Sequence, residues 1–446
     1  MADATTTTRP AKAGSGTAQP ARLGNYANSA SPGSATPEER VGRRRGKRRE
    51  RHVLRSKLRG LTTLGRVRKC GHTSVNGEGS GPGLRLTETK TGNVAGFSGL
   101  ATCGSVWACP VCAAKIATRR AEDLADVMRY GLERGCSASM VTLTIRHHRG
   151  QSLRECWAAV TAGWRAVTTG KQWTTDADGA GLVGWVRAVE VTQGKNGWHV
   201  HVHALLIWDS TLPDEEADII GQRMWQRWTR AVRRKGFDSL LRSADGKRVG
   251  VDVRKASLDP AAQGGTGLHE YFTKLAHEVT GGQAKLAQGQ GRTPFQLLDR
   301  AVLGLADDVE LWHEWESASK GRRQMEWSRG RRDLRAWAGL GDEETDEEIA
   351  GAELDGPDLL LLYPESWQTL RQSPEQVCDL FDAAERGGFD AARQLLDLWS
   401  LPWLMGTAAP KYPPPPAGSS RLDAERVAGR QSLALKLVNQ HRLHSI

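Results

Sequence analysis

The sequence predicts an α+β fold, a central antiparallel sheet with flanking helices, and three observations carry that prediction. Gly197 to Trp208 alternates strictly, so Val200, Val202, Ala204 and Leu206 take one face of a strand while His199, His201 and His203 take the other. Trp185 to Thr192 reads as a second strand, and the connection Gln193-Gly194-Lys195-Asn196-Gly197 carries an Asn-Gly pair, a strong hairpin signal. Helical and strand periods then alternate on both sides of this hairpin.

The elements follow in order. Residues 1–39 are mostly Ala, Thr, Ser, Gly and Pro, a composition too poor in buriable surface to offset the entropy of ordering, and they predict a disordered tail. Arg40 to Arg59 holds eleven Lys or Arg in twenty positions, so 40–65 reads as a basic arm. Arg43, Arg44, Arg45, Lys47, Arg48 and Arg49 at its centre are candidate DNA-binding residues, because each phosphate contact releases counterions. A cysteine subregion, 66–135, ends in a helix over Ala113 to Arg134 with Ile116, Leu124, Val127 and Met128 on or near one face.

Ser139 to Ile145 alternates as a strand, and Leu153 to Thr168 as a helix with Trp157, Val160 and Trp164 inward. After the hairpin come a helix near Glu215 to Lys235 and a strand at Arg248 to Arg254. A Gly-rich break at Gly264-Gly265-Thr266-Gly267 then leads into a helix carrying Tyr271. These elements form one domain over 136–340. The rest, 341–446, is a separate, mostly helical region that opens on an acidic linker, Asp342 to Glu348. Helical periodicity runs from Leu359 to Leu404, and Pro413 to Pro416 is a stiff spacer before a short final helix.

Charge narrows the partner. The net charge is +11, but the residues after Leu340 comprise 18 acidic and 9 basic side chains, so the preceding part carries +20. Such a basic body suits nucleic acid. The 16 Trp offer stacking surface for unpaired bases, although most Trp in any protein is core. No apolar run approaches the ~18 residues of a membrane span, and the N-terminus lacks the order of a signal peptide. The expectation is a cytoplasmic protein with no membrane partner.

Seven Cys without a secretory signal argue against a disulfide framework. Cys109-Pro110-Val111-Cys112 is a knuckle that presents two thiolates to one ion, and Cys103 with Cys70 completes a tetrahedral set for a structural Zn²⁺. His72 is an alternative to Cys70.

The histidine face has a different metal logic. Neutral imidazoles in register are metal ligands, and a carboxylate from Glu190 on the partner strand would make an open site suited to Mg²⁺ or Mn²⁺ near a phosphate. Val189 and Val191 flank Glu190, so its side chain leaves their face; whether it meets the histidines depends on hairpin register, and the alternative is a cross-strand charge. In Gly267 to Leu275, Lys274 lies three residues after Tyr271 on the same helical surface. A neighbouring Lys⁺ favours the phenolate and makes Tyr271 a candidate nucleophile; a Tyr at the edge of an amphipathic core is the alternative.

Taken together, these motifs resemble the replication initiators of rolling-circle plasmids, members of the HUH endonuclease superfamily, particularly the single-tyrosine type from plasmids of high-GC Gram-positive bacteria. The anchors are Cys-Gly-Ser-Val-Trp-Ala-Cys-Pro-Val-Cys at 103–112, Val-Thr-Leu-Thr at 141–144, Gly-Trp-His-Val-His-Val-His at 197–203 and Tyr-Phe-Thr-Lys at 271–274. The match covers about Arg66 to Thr280.

The resemblance implies that His201 and His203 are the metal-binding pair, with His199 a further ligand, and that Tyr271 attacks a phosphodiester of plasmid origin DNA, single-stranded or in a hairpin. The products would be a 5′-phosphotyrosine and a 3′-OH primer, extended with host helicase and polymerase, with Lys274 orienting phosphate or phenolate. It also implies a sheet with the histidine strand central. Some relatives carry a Glu four residues before the Tyr for the terminating cleavage; here that position is Gly267, with Glu270 and Glu278 as nearby substitutes. Other readings are a zinc-stabilised DNA-binding regulator without nicking activity and a relaxase or transposase of the same superfamily. Cupin and metallo-β-lactamase sites are disfavoured, the latter because Ala204-Leu205-Leu206 follows His203 where an Asp is expected.

Overall fold

The computed structural model describes residues 36–77, 80–89, 92–246, 248–256 and 291–406. Two antiparallel sheets organise it. The larger has the order β6-β3-β5-β4-β7, from Ser137–Thr144 (β3), Leu182–Gly194 (β4), Gly197–Trp208 (β5), Val251–Ala256 (β6) and Met325–Trp327 (β7). The histidine strand β5 is central, as expected.

Alternation along β5 decides how the sheet is covered. Val200, Val202, Ala204 and Leu206 lie in a core with the helices Leu153–Val167 (α4) and Asp214–Arg233 (α6), through Trp157, Val160, Trp164, Met224 and Trp228. Leu205 and Ile207, on the opposite face, pack with Leu124, Val127 and Met128 of the helix Pro110–Glu133 (α3). The outer half of that second face carries the histidines.

Gly197 makes the hairpin. It takes φ 87°, while Lys195 and Asn196 avoid positive φ, so the turn is a glycine-assisted bend and not a two-residue turn with both centres left-handed. Space favours glycine too: a Cβ here would stand 3.1 Å from the Arg149 Cα and 3.3 Å from the His148 carbonyl oxygen, a tight fit against backbone.

The second sheet has the order β2-β1-β8-β9, from Gly83–Thr89 (β1), Gly92–Ser98 (β2), Asp358–Leu362 (β8) and Trp403–Met405 (β9). It joins residues within the cysteine subregion to the C-terminal region, where the predicted continuous helical text is in fact strand, helix Pro364–Leu370, helix Pro374–Leu398 and strand. The acidic stretch after Leu340 is docked on α3: Glu344 pairs with Arg119 at 2.7 Å and Asp346 with Arg120 at 2.8 Å.

The basic segment is a helix, Pro37–Leu61 (α1), started by a Thr36 and Glu39 capping box with Pro37 at its first turn. Its arginines meet the Pro374–Leu398 helix, where Asp379, Asp382 and Glu385 face them. All 16 Trp are buried or half-buried, so the stacking surface expected from their number is spent on the cores. No helix among the described residues is long and apolar enough to cross a membrane.

Candidate metal centres

Hairpin register settles what Glu190 meets. It stands directly opposite His201 across β4 and β5, and its Oε2 lies 3.2 Å from His201 Nε2 and 3.1 Å from His203 Nε2. Adjacent ligands of an octahedral ion at about 2.1–2.2 Å would stand roughly 3.0–3.1 Å apart, so the spacing fits a hard divalent ion. Burial alone would raise the Glu190 carboxyl; the imidazoles of His201 and His203 instead hold it well below the usual range.

The centre deepens away from the hairpin. Side-chain exposure falls from 16% at Glu190 to 7% at His201 and 1% at His203, so access is from the hairpin end. His203 Nδ1 lies 3.0 Å from the Thr142 hydroxyl on β3. With that oxygen accepting, Nε2 is the nitrogen whose lone pair would bind an ion shared with Glu190, and such a supporting bond is typical of metal-binding histidines. The Val-Thr-Leu-Thr motif thus places a hydroxyl behind the site, which alternation alone did not reveal.

His199 stands beside this group, not within it. Its ring centroid is 4.7 Å from that of His201, but the set whose donor atoms all lie within 4.8 Å comprises Glu190, His201 and His203. Burial, followed by the neighbouring imidazoles, lowers His199 to about 3, so it is neutral at working pH. Its Nδ1 lies 2.9 Å from Nε2 of His147, a residue the sequence reading missed because the loop Arg146 to Gly150 has no periodicity.

The four cysteines converge as their spacing predicted. Cys70, Cys103, Cys109 and Cys112 are all buried and none forms a disulfide. Sulfurs lie 3.8 Å apart for Cys70 and Cys109, 3.5 Å for Cys70 and Cys112, and 3.6 Å for Cys103 and Cys112. A tetrahedron with zinc–sulfur bonds of about 2.3 Å has edges of about 3.8 Å, so the set fits zinc.

The Arg55 guanidinium lies against Cys70, in the space a Cβ on Gly71 would fill. Burial would lower Arg55, and the thiolates of Cys70, Cys109 and Cys112 reverse this. His72 is not in the set; its carbonyl accepts from Trp367 Nε1 at 3.1 Å.

The six basic candidates divide between two sides of α1. Arg45 and Arg48 pair with Asp382 and Glu385, and Arg49 with Asp379. Arg44 donates to the Asn93 carbonyl at 3.2 Å, whereas Arg43 and Lys47 are exposed. Tyr271, Lys274, Glu270, Gly267 and Glu278 lie outside the described residues.

Comparison with known proteins accords with this picture. A family model described as "Replication protein" matches residues 100–356, which include the knuckle, the histidine strand and Glu190. A "Protein rep" of Streptomyces lividans is 30% identical, the match covering 58% of this chain and 70% of the relative. A "Neomycin resistance protein" of Streptomyces cyanogenus is 28% identical over 37% of this chain and 45% of its own. A "Protein rep" of Lentilactobacillus hilgardii is 29% identical over 28% of this chain and 40% of its own. No solved structure matches. With the family model spanning more than half of its length, this chain belongs to the Rep replication protein family, that of the plasmid Rep initiators.

Proposed function

We propose that this protein starts rolling-circle replication of a plasmid by nicking one strand of its origin with Tyr271. The observation that carries the reading is the carboxylate of Glu190 shared between His201 and His203 on a sheet face that opens at its hairpin end, in a chain of the replication family.

Chain path supports it. β6 ends at Ala256, at the end of the sheet remote from the histidines, and the described chain resumes where Arg292 bridges Gln193, one residue from the Thr192 that faces His199.

The phenolate oxygen of Tyr271 attacks the phosphorus, the bond to the 3′ oxygen breaks, and the products are a 5′-phosphotyrosine and a free 3′-OH. Lys274 favours the phenolate and orients the phosphate. His201, His203 and Glu190, with His199 beside them, would hold Mg²⁺ or Mn²⁺, which supplies charge stabilisation to the pentavalent transition state. Glu270 is the candidate base for the terminating cleavage. The outward side of α1, with Arg43 and Lys47, adds sequence-independent phosphate contacts. Such a protein works in the cytoplasm, where host helicase and polymerase extend the primer.

The test is incubation of labelled single-stranded origin oligonucleotide with Mn²⁺, a denaturing gel and peptide mapping. The expected product is a covalent adduct on Tyr271, absent from Tyr271→Phe while binding persists. Origin binding by the wild type with no adduct would instead identify a DNA-binding regulator, and nicking by Tyr271→Phe would remove Tyr271 as nucleophile.

A further inference from the structure

We propose that His147 is a positioning residue that fixes the tautomer of His199 and so presents an unprotonated imidazole nitrogen at the rim of the Glu190, His201 and His203 centre. This rests on reading that centre as a divalent-metal site. The argument begins at a backbone carbonyl. His147 Nδ1 lies 2.9 Å from the Asn196 oxygen, which can only accept, so Nδ1 bears the proton. In the neutral ring Nε2 is then an acceptor, and the atom 2.9 Å from it, His199 Nδ1, must donate. His199 is thereby left with its lone pair on Nε2. That atom belongs to a half-buried side chain whose ring centroid is 4.7 Å from His201.

The loop holding His147 is itself pinned. The Arg146 amide donates to the Asp238 carbonyl at 2.7 Å, and the left-handed, side-chain-free Gly197 lets His148 and Arg149 lie against the hairpin turn. The chain thus builds a carbonyl–imidazole–imidazole series ending beside His201, the arrangement by which outer groups orient metal ligands. With Nε2 unprotonated, His199 can bind the ion directly or accept from one of its waters; protonated there, it could do neither.

Two measurements on the full chain test this. Long-range ¹H–¹⁵N spectra of ¹⁵N-histidine-labelled, metal-free protein should show His199 protonated on Nδ1; His147→Ala should lose that single tautomer, and His147→Gln, whose amide oxygen can accept the same bond, should restore it. Mn²⁺ titration should show affinity weakened about 10–100-fold in His147→Ala and largely recovered in His147→Gln. A wild-type His199 protonated on Nε2 overturns the proposal without any variant. So does His147→Ala with wild-type affinity. His201→Ala separates the two levels: if it leaves Mn²⁺ affinity unchanged, the metal reading itself fails; if it abolishes binding while His147→Ala does nothing, only the role of His147 fails.

Discussion

Replacing Cys109 by Ser should loosen zinc in this protein. The four sulfurs stand 3.5–3.8 Å apart in the measured pairs, close to the edge of a zinc tetrahedron and far beyond a disulfide bond. Four thiolates and one Zn²⁺ leave a net charge of −2, which the buried Arg55 partly offsets. Structural zinc binding is worth about 10–16 kcal/mol in small domains, so one ligand in four carries roughly 2.5–4 kcal/mol. Cys109→Ser should therefore weaken zinc by about two to three orders of magnitude. Elemental analysis of freshly purified protein should give one zinc per chain, and competition with a chromophoric chelator should give the drop in affinity. Absence of zinc from the purified wild type, or equal affinity in the variant, would refute the reasoning.

Glu190→Gln keeps shape but removes the negative charge shared by His201 and His203, and Mn²⁺ affinity read by calorimetry should fall about 10–100-fold. Gly197→Ala forces a side chain into φ 87° and against the 146–150 loop, so thermal unfolding should report a loss of about 1–3 kcal/mol. Burial would raise the Glu385 carboxyl, but Arg48, the Ala95 amide and Arg45 together hold it below the usual range. A depressed carboxyl stabilises the fold above its unfolded value of about 4.3, and that contribution is lost as pH falls through the folded value. Stability against denaturant should therefore drop in acid for the wild type, and Glu385→Gln should flatten that limb of the profile.

Local periodicity made the central sheet legible. Alternation gave β3 and β5, the Asn-Gly turn placed β4 beside β5, and apolar residues on one helical face gave α3 and α4, each close to its observed bounds. Register did not follow, because a one-residue slip of β4 against β5 would have put Glu190 on the sheet face that bears Val200 and Val202, away from the histidines. The Gly83 to Ser98 hairpin was missed: its strands mix Gly, Thr and Asn with few apolar residues, and its partner β8 lies far along the chain. The basic segment read as a DNA-binding arm because its carboxylate partners are equally distant, with Arg48 bonded to Glu385. That long-range pairing, together with the burial of Leu54 and Leu58, turns a run of like charge into a packed helix.

The two candidate centres are joined by one element. Cys109 caps α3 and Cys112 sits in its first turn, so the thiolate cluster fixes where that helix begins. Ile116 then enters the core shared with Leu54 and Leu58 of α1, while Leu124, Val127 and Met128 cross to the other core and rest on Leu205 and Ile207. Those two residues continue the face of β5 that bears His199, His201 and His203. The helix is also clamped along its length, by Asp346 on Arg120 and by Arg335 on Asp123. The knuckle at the start of α3 thereby helps set the depth at which the inner end of the histidine face is closed, so a zinc ion held by these four cysteines would support the chemistry proposed for that face without touching it.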